Sequence, residues 1–228
     1  HPHRGFETVT YLLKGRMNHA DSAGNSGELN PGSVQWMTAG SGVIHSELPH
    51  PDFQKTGGVM HGFQIWVNLP AADKMMQPRY QDIPAENIPV VSSQDDLVEV
   101  RVIAGQSLGQ SAVIDTMIPI TVLHMILKPG GKIVQSIDKG LNGMIYCFSG
   151  SLSVDEKTLN DGQLGILNDG DEVHLSVSES AKEDVNILFL AGPEINEPIA
   201  RYGPFVMNTE QEIMQAYADY NAGTLVKN

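Results

Sequence analysis

Short apolar segments separated by turn-forming residues run along the whole chain. Residues 98–103 read VEVRVI, with apolar side chains at every second position, as in a strand whose two faces differ. Residues 113–127 read as a further strand-like region. The 23 glycines and 13 prolines are spread between such segments, where they favour turns. The pattern predicts an all-β protein built from many short strands.

Two parts of the chain repeat the same pattern. The first reads YLLKG at 11–15 and LNPGSVQWM at 29–37, and the second reads YCFSG at 146–150 and LNDGQLGIL at 159–167. In each, an apolar strand ends at a glycine turn, and an Asn-Pro-Gly or Asn-Asp-Gly turn leads into another strand. The landmarks are 135 and 130 residues apart, and a shorter hairpin in the second copy would account for the difference. We therefore predict two copies of one β module.

The segment between the copies predicts a connection. Residues 69–89 contain four prolines and mixed polarity, with one possible helical turn at 71–76. Strand-like patterns resume after residue 96, which places the boundary near residues 90–96. We assign residues 1–92 to the first module and residues 93–228 to the second.

The C-terminal end has a different pattern, typical of one amphipathic helix. Thr209 followed by Glu212 is a capping-box sequence, and Gly223 supplies a stop. We predict that this helix packs on the second module. Apolar side chains recur at helical spacing at Ile213, Ala216, Tyr217 and Tyr220.

Composition and charge exclude several classes of protein. Hydrophobic residues make up 41% of the chain, but no apolar run approaches the roughly 18 to 20 residues of a membrane-spanning helix. The 14 basic and 27 acidic residues give a formal charge of −13, which argues against direct binding of nucleic acid. The single cysteine, Cys147, cannot form an intrachain disulfide and lies in a strand-like setting. These features favour a soluble cytoplasmic protein.

Two histidine-containing motifs carry the candidate chemistry. His1 and His3 in HPH point the same way on an extended strand, about 7 Å apart. His45 and Glu47 in IHSE have the same spacing, so all four side chains can meet inside one barrel. Three nitrogens and one carboxylate suit Fe(II), Mn(II), Ni(II), Cu(II) or Zn(II), and the residue types alone do not choose among them. The alternative is that both pairs occur by chance and bind no metal.

Four segments together resemble the pirin branch of the cupin superfamily. They read HPHRGFETVTYLLKG from residue 1, NPGSVQWMTAGSGVIHSE from residue 30, HGFQIWVNLP from residue 61 and GPFVMNT from residue 203. The resemblance implies two cupin-type β-barrels, or jelly rolls, and a further segment upstream of the first residue. It also implies one metal, usually iron, in the N-terminal barrel. The implied ligands are His1, His3, His45 and Glu47.

The resemblance implies two alternative functions. Some pirins resemble quercetin 2,3-dioxygenases, which cleave the central ring of a flavonol with dioxygen and release carbon monoxide. Glu47 would then be the candidate base that takes the proton of the flavonol 3-hydroxyl. Eukaryotic pirins are instead nuclear partners of transcription regulators, in which the metal acts as a redox sensor and the partner is a protein. A purely structural metal is a third possibility.

Other residues have more than one interpretation. Trp36, Met37 and Phe63, with Ile65 and Trp66, could line an apolar pocket for a flat aromatic substrate or simply fill the barrel. His61 could lie near the substrate or be a hydrogen-bonded core histidine. Glu7 fits a cupin ligand pattern, but a carboxylate outside the ligand set is favoured.

In the second copy, the 135-residue offset places Ser-Ile-Asp at residues 136–138 where the first copy has HPH. We therefore predict a C-terminal barrel without a metal.

Overall fold

The computed structural model describes residues 1–227 and consists mainly of β-strands. The first eight strands are β1 (Pro2–His3), β2 (Phe6–Lys14), β3 (Met17–Asp21), β4 (Ser26–Leu29), β5 (Val34–Thr38), β6 (Val43–Pro49), β7 (His61–Asn68) and β8 (Arg79–Ile83). A short helix, α1 (Pro51–Thr56), lies between β6 and β7, and a 3-10 turn (Ala85–Asn87) follows β8.

The remaining elements complete two compact units. The next twelve strands are β9 (Val90–Ser92), β10 (Val98–Ala104), β11 (Gln106–Ser107), β12 (Gln110–Ser111), β13 (Thr121–Leu127), β14 (Lys132–Ser136), β15 (Leu141–Ser149), β16 (Ser151–Val154), β17 (Lys157–Asn160), β18 (Gln163–Ile166), β19 (Glu172–Ser176) and β20 (Val185–Pro193). The chain then forms β21 (Ala200–Tyr202), β22 (Phe205–Met207) and the helix α2 (Glu210–Asn221).

The first unit comprises His1–Asn87 and the C-terminal segment from Ile195 onward. Its strands form two four-stranded antiparallel sheets, in the orders β7-β2-β5-β8 and β1-β6-β3-β4. Strand β2 is buried over most of its length because it is an inner strand, paired with β5 on one side and β7 on the other. The two sheets carry the candidate site.

The second unit, Ile88–Glu194, repeats this topology. Its sheets have the orders β18-β15-β20-β13-β10-β9 and β14-β19-β16-β17. Strands β20, β15 and β18 are neighbours in the order shown by β7, β2 and β5, and β14-β19-β16-β17 corresponds to β1-β6-β3-β4. The repeat predicted from the sequence is confirmed. Apolar side chains such as Val100, Leu123 and Phe189 fill the core of this unit.

Helix α2 begins where the sequence predicts. The side chain of Thr209 accepts a hydrogen bond from the backbone of Glu212, and the Glu212 side chain accepts one from the backbone of Thr209. The structure groups this helix with the first unit, however, and not with the second module. Ile213 and Ala216 are buried against Phe205 and other residues of the C-terminal segment, which belongs to the first unit. The bridge between Arg4 and Phe205 connects that segment to the N-terminal strands.

Residues 71–75 form turns, where the sequence suggests one possible helical turn at 71–76. Within residues 1–227, no helix has the length and apolar character needed to cross a membrane.

A cluster of three histidines as candidate metal centre

Strand pairing brings three histidines together in the first unit. Strand β1 runs antiparallel to β6, with His3 opposite Val43. The pairing continues past the strand end, where the His45 backbone N–H donates to the His1 carbonyl at 2.9 Å. One ring nitrogen from each of His1, His3 and His45 lies within 4.8 Å of the other two. The histidines of the HPH and IHSE motifs therefore lie together.

The three rings pack edge to face. The His1 ring centroid lies 4.7 Å from that of His3 and 4.3 Å from that of His45, and those of His3 and His45 are 5.0 Å apart. The Nε2 atoms of His1 and His45 are 2.8 Å apart. Nitrogens bound to one metal ion at about 2.1 Å are at most about 4.2 Å apart, so small ring rotations would bring all three onto one ion.

The electrostatics of the cluster suit a metal ion. Burial lowers the pKa of both His3 and His45 from 6.5 to about 4, so both rings are neutral near pH 7. His3 Nδ1 lies 3.4 Å from the carbonyl oxygen of Pro204. A proton on Nδ1 leaves a lone pair on His3 Nε2, which is buried and has no hydrogen-bond partner among residues 1–227. A divalent cation would bind this unpaired nitrogen, so the three histidines suit a divalent metal ion.

Glu47 lies beside the cluster but outside the 4.8 Å group. It is two residues beyond His45 on β6, and its charge acts on the pKa of His3. Thr10 Oγ1 donates to Glu47 Oε1, and Gln64 Nε2 donates to Glu47 Oε2, both at 2.8 Å. These two hydrogen bonds fix the carboxylate and leave each oxygen a further lone pair.

Two buried cations hold the strand that carries His1 and His3. Arg4, 2% exposed, donates from Nε to the Ser41 carbonyl at 2.6 Å and from Nη1 to Asp219 on α2 at 2.7 Å. Lys74 Nζ donates to the Gly5 carbonyl at 2.8 Å, and burial lowers its pKa to about 8. Gly5 has φ +87°, and a Cβ there would lie 2.1 Å from the Val206 carbonyl oxygen. The sequence HPHRG thus needs glycine at this position.

One face of the β2 sheet borders the histidines. The Phe6 ring lies edge to face with His3 at 5.3 Å, and the Trp66 ring lies 5.9 Å from His3. Trp66 is 37% exposed, and the guanidinium of Arg201 lies 4.8 Å from its ring centre. An aromatic and cationic surface therefore lies next to the cluster.

The strand register divides the predicted pocket residues between two faces. Thr10, which contacts Glu47, pairs with Gln64, and Thr8 pairs with Met37 and Trp66. Because side chains alternate, Met37 and Trp66 share the Thr10 face. Trp36 and Phe63 pair with Val9 and Tyr11, so they lie on the opposite face, and the His61 ring packs on Phe63 at 5.7 Å.

Of the pocket candidates, the structure therefore brings only Met37, together with Trp66, to the side of the cluster. The side chains of Trp36, Phe63 and His61 point away from the cluster because they lie on the opposite face of the sheet. Glu7 shares that other face, is fully buried and accepts a hydrogen bond from Thr38. These contacts do not indicate that Glu7 is a metal ligand.

Sequence reasoning missed the polar residues that fix the site. Thr10 and Gln64 hold Glu47, and Arg4 and Lys74 hold the β1 strand. The alternation in HGFQIW contained a usable signal, since Gln64 and Trp66 share one face. No local pattern indicates the partners of Arg4 and Lys74, which are distant in sequence.

Comparison with known proteins gives a consistent result. Residues 1–67 match the Pirin family, and residues 122–226 match the Pirin C-terminal cupin domain. A "Pirin-like protein" of Solanum lycopersicum is 42% identical over 98% of this chain and 75% of its own length. Human "Pirin" is 40% identical over 96% of this chain and 74% of its own. The crystal structure of a quercetin 2,3-dioxygenase from Acinetobacter baumannii, 40% identical, matches 99% of this chain and 77% of its own with a TM-score of 0.93.

Proposed function

Because this chain belongs to the pirin family of cupin proteins, we propose that it is a metal-dependent dioxygenase of the quercetin 2,3-dioxygenase type. The observation that carries the proposal is the convergence of the His1, His3 and His45 nitrogens within 4.8 Å. A relative of known structure with 40% identity is named for this activity, which supports the substrate class.

In this proposal, His1, His3 and His45 hold one divalent metal, with Glu47 as the fourth ligand. Fe(II) is the expected ion, because imidazole with one carboxylate is a usual donor set for iron enzymes that use dioxygen. The metal would supply a Lewis acid with open positions for substrate and dioxygen. Imidazoles that are neutral near pH 7 would bind it without first releasing protons.

Glu47 is the proposed base. Its carboxylate is half-buried and oriented by Thr10 and Gln64 next to the cluster. A general base must reach the proton that it removes, and this position lets Glu47 take the proton of a flavonol 3-hydroxyl placed beside the histidines. The hydrogen bonds from Thr10 and Gln64 would keep it oriented during that transfer.

The aromatic face beside the cluster is the proposed substrate platform. Trp66 and Phe6 have ring centroids 4.4 Å apart, and both lie next to His3. Arg201 lies over Trp66 and would favour a substrate that becomes anionic when it loses its hydroxyl proton. A planar aromatic phenol fits this chemistry.

The test is quercetin turnover after anaerobic loading with Fe(II). Quercetin depletion and carbon monoxide release would be followed for the native chain, His45→Ala and Glu47→Gln. We expect metal-dependent turnover in the native chain and a loss of about a hundredfold or more in both variants. His174→Ala is the matched control, because His174 is an exposed histidine of the second unit. It should turn over quercetin at the native rate.

Fully iron-loaded protein that neither consumes quercetin nor releases carbon monoxide would overturn the proposal. Iron that then changes oxidation state without turnover would point to the alternative, a redox-sensing regulator that acts through a protein partner.

A further inference from the structure

The second unit contains a cavity of about 570 Å³ at the open end of its β-sandwich. Strands β15 and β18, the β16–β17 hairpin and the start of β19 surround it. Cavities of this size commonly hold small organic molecules, and the mouths of β-barrels are frequent ligand sites. Its floor is apolar and is formed by Ile137, Ile145, Val154, Leu159, Leu167 and Val173.

The internal repeat relates one wall of this cavity, strand β15, to strand β2 of the histidine site. Strands β2 and β15 are both nine residues long, and Thr10 and Ile145 are the fifth residue of each. Thr10, which holds Glu47, pairs with Gln35 on β5, whereas Ile145 pairs with Gly165 on β18. The hydroxyl that holds Glu47 in the first unit is therefore replaced by an apolar side chain at this position.

Smaller side chains also stand at a neighbouring pair of corresponding positions. Thr8 pairs with Trp66 in the first unit, and the corresponding pair in the second unit is Gly143 with Ala191. An indole and a hydroxyl are thus replaced by a methyl group and a hydrogen.

The rim of the cavity is acidic. Asp155, Glu156, Asp169 and Glu172 border the opening, with Lys157 as the basic residue among the lining groups. All five are exposed. Carboxylates around a concave apolar surface attract cations and repel anions.

We propose that this cavity binds a small amphipathic organic cation. Its apolar body would occupy the floor over Ile145 and Val173, and its ammonium group would lie at the carboxylate rim. The site would work independently of the metal centre, because every residue in it belongs to the second unit.

The probe for this proposal is 2-naphthylmethylamine, with its neutral alcohol and its carboxylate analogue as matched ligands. The chelator-treated full chain avoids binding of the amine to a metal. Calorimetry would measure affinity, and NMR of isoleucine methyl groups would locate the ligand. We expect the amine to bind most tightly and to shift the signals of Ile137 and Ile145.

Two variants test the floor and the rim separately. The atoms nearest to a Cβ at Gly165 would be Leu159 methyls at 3.5 and 3.7 Å and the Ile145 carbonyl oxygen at 3.9 Å, so the first carbon of a side chain meets no clash there. Gly165→Leu should fill the cavity and weaken all three ligands by about tenfold or more. The double variant Asp169→Asn with Glu172→Gln should weaken only the amine, by roughly two- to fivefold.

The matched charge control is Glu179→Gln with Glu183→Gln, two exposed carboxylates of the same unit outside the cavity. This control should leave amine binding unchanged. Equal affinity for amine and alcohol would overturn the cationic ligand class. Amine binding that leaves the Ile137 and Ile145 signals unshifted, or no binding at millimolar amine, would overturn the site itself, whether or not Gly165→Leu folds.

Discussion

At the residue scale, burial sets the charge of two histidines in the cluster. His3 and His45 are 3% and 4% exposed, and both have a pKa of about 4, so they present neutral nitrogens at neutral pH. His174 on β19 has a side chain that is 61% exposed and contacts Glu172 instead. The difference comes from position, because β1 and β6 enclose their histidines within the first unit.

His124 offers a test of what burial does to a histidine away from the cluster. Burial lowers its pKa from 6.5 to about 4. Between these pH values the unfolded chain binds a proton that the folded chain does not, so the free energy of unfolding falls as the pH drops from about 6.5 toward 4. From about pH 7 to about pH 5 this one residue should account for about 2 kcal/mol of the loss.

Urea unfolding of the chelator-treated native chain and of His124→Asn at both pH values measures this contribution. The variant should lose less stability on acidification than the native chain. His174→Asn should behave like the native chain, because its ring is exposed. Equal pH dependence in His124→Asn and the native chain would mean that His124 is protonated in the folded state.

The Gln64 amide tests whether orientation of Glu47 matters for the proposed chemistry. Gln64→Leu removes one of the two hydrogen bonds that fix the carboxylate. We expect kcat to fall about tenfold and metal affinity to fall by less, because the three histidines are untouched. Steady-state kinetics and a metal titration would be compared with Gln54→Leu, a change on the exposed helix α1. A matching loss in both variants would contradict the orienting role.

At the element scale, the repeat was predictable and the path of the C-terminal segment was not. The glycine turns after Lys14 and Ser149 end corresponding strands, and both glycines have positive φ. Such turns leave a local signal in the sequence. The contacts of the C-terminal segment with the first unit depend on Arg4 and Lys74, whose partners lie on distant elements. Long-range pairing of this kind has no period that a sequence can show.

The link between α2 and β1 leads to a prediction about metal affinity. Asp219 accepts a hydrogen bond from Arg4, the residue that follows His3. Asp219→Asn weakens this contact and should loosen the strand that positions His1 and His3. We expect metal affinity to fall by roughly tenfold, the low end of the effects seen when residues supporting metal ligands are changed.

Competition with a chromophoric chelator measures this affinity. Glu210→Gln, at the other end of the same helix, is the control and should bind metal like the native chain. Native affinity in Asp219→Asn would show that the helix does not support the site. Thermal unfolding of both variants would establish that each is folded.

At the scale of the whole molecule, one β topology has been used twice with different interiors. The family, the two-cupin fold and the C-terminal helix expected from the sequence are confirmed. The meeting of His1, His3 and His45 was also predictable, because a spacing of two residues places side chains on one face of a strand. The sheet faces on which Trp36 and Phe63 lie were not predictable. Both faces carry apolar residues, so only the strand register assigns a residue to one of them.

The central claim is that one divalent metal binds at the histidine cluster of the first unit. Its most direct test is anaerobic titration of the chelator-treated chain with Co(II), followed by visible absorption, for the native chain, His45→Ala and His174→Ala. We expect one Co(II) per chain with absorption typical of nitrogen and oxygen ligands, lost in His45→Ala and kept in His174→Ala. Native-like Co(II) binding in His45→Ala, or no binding by the native chain, would contradict it.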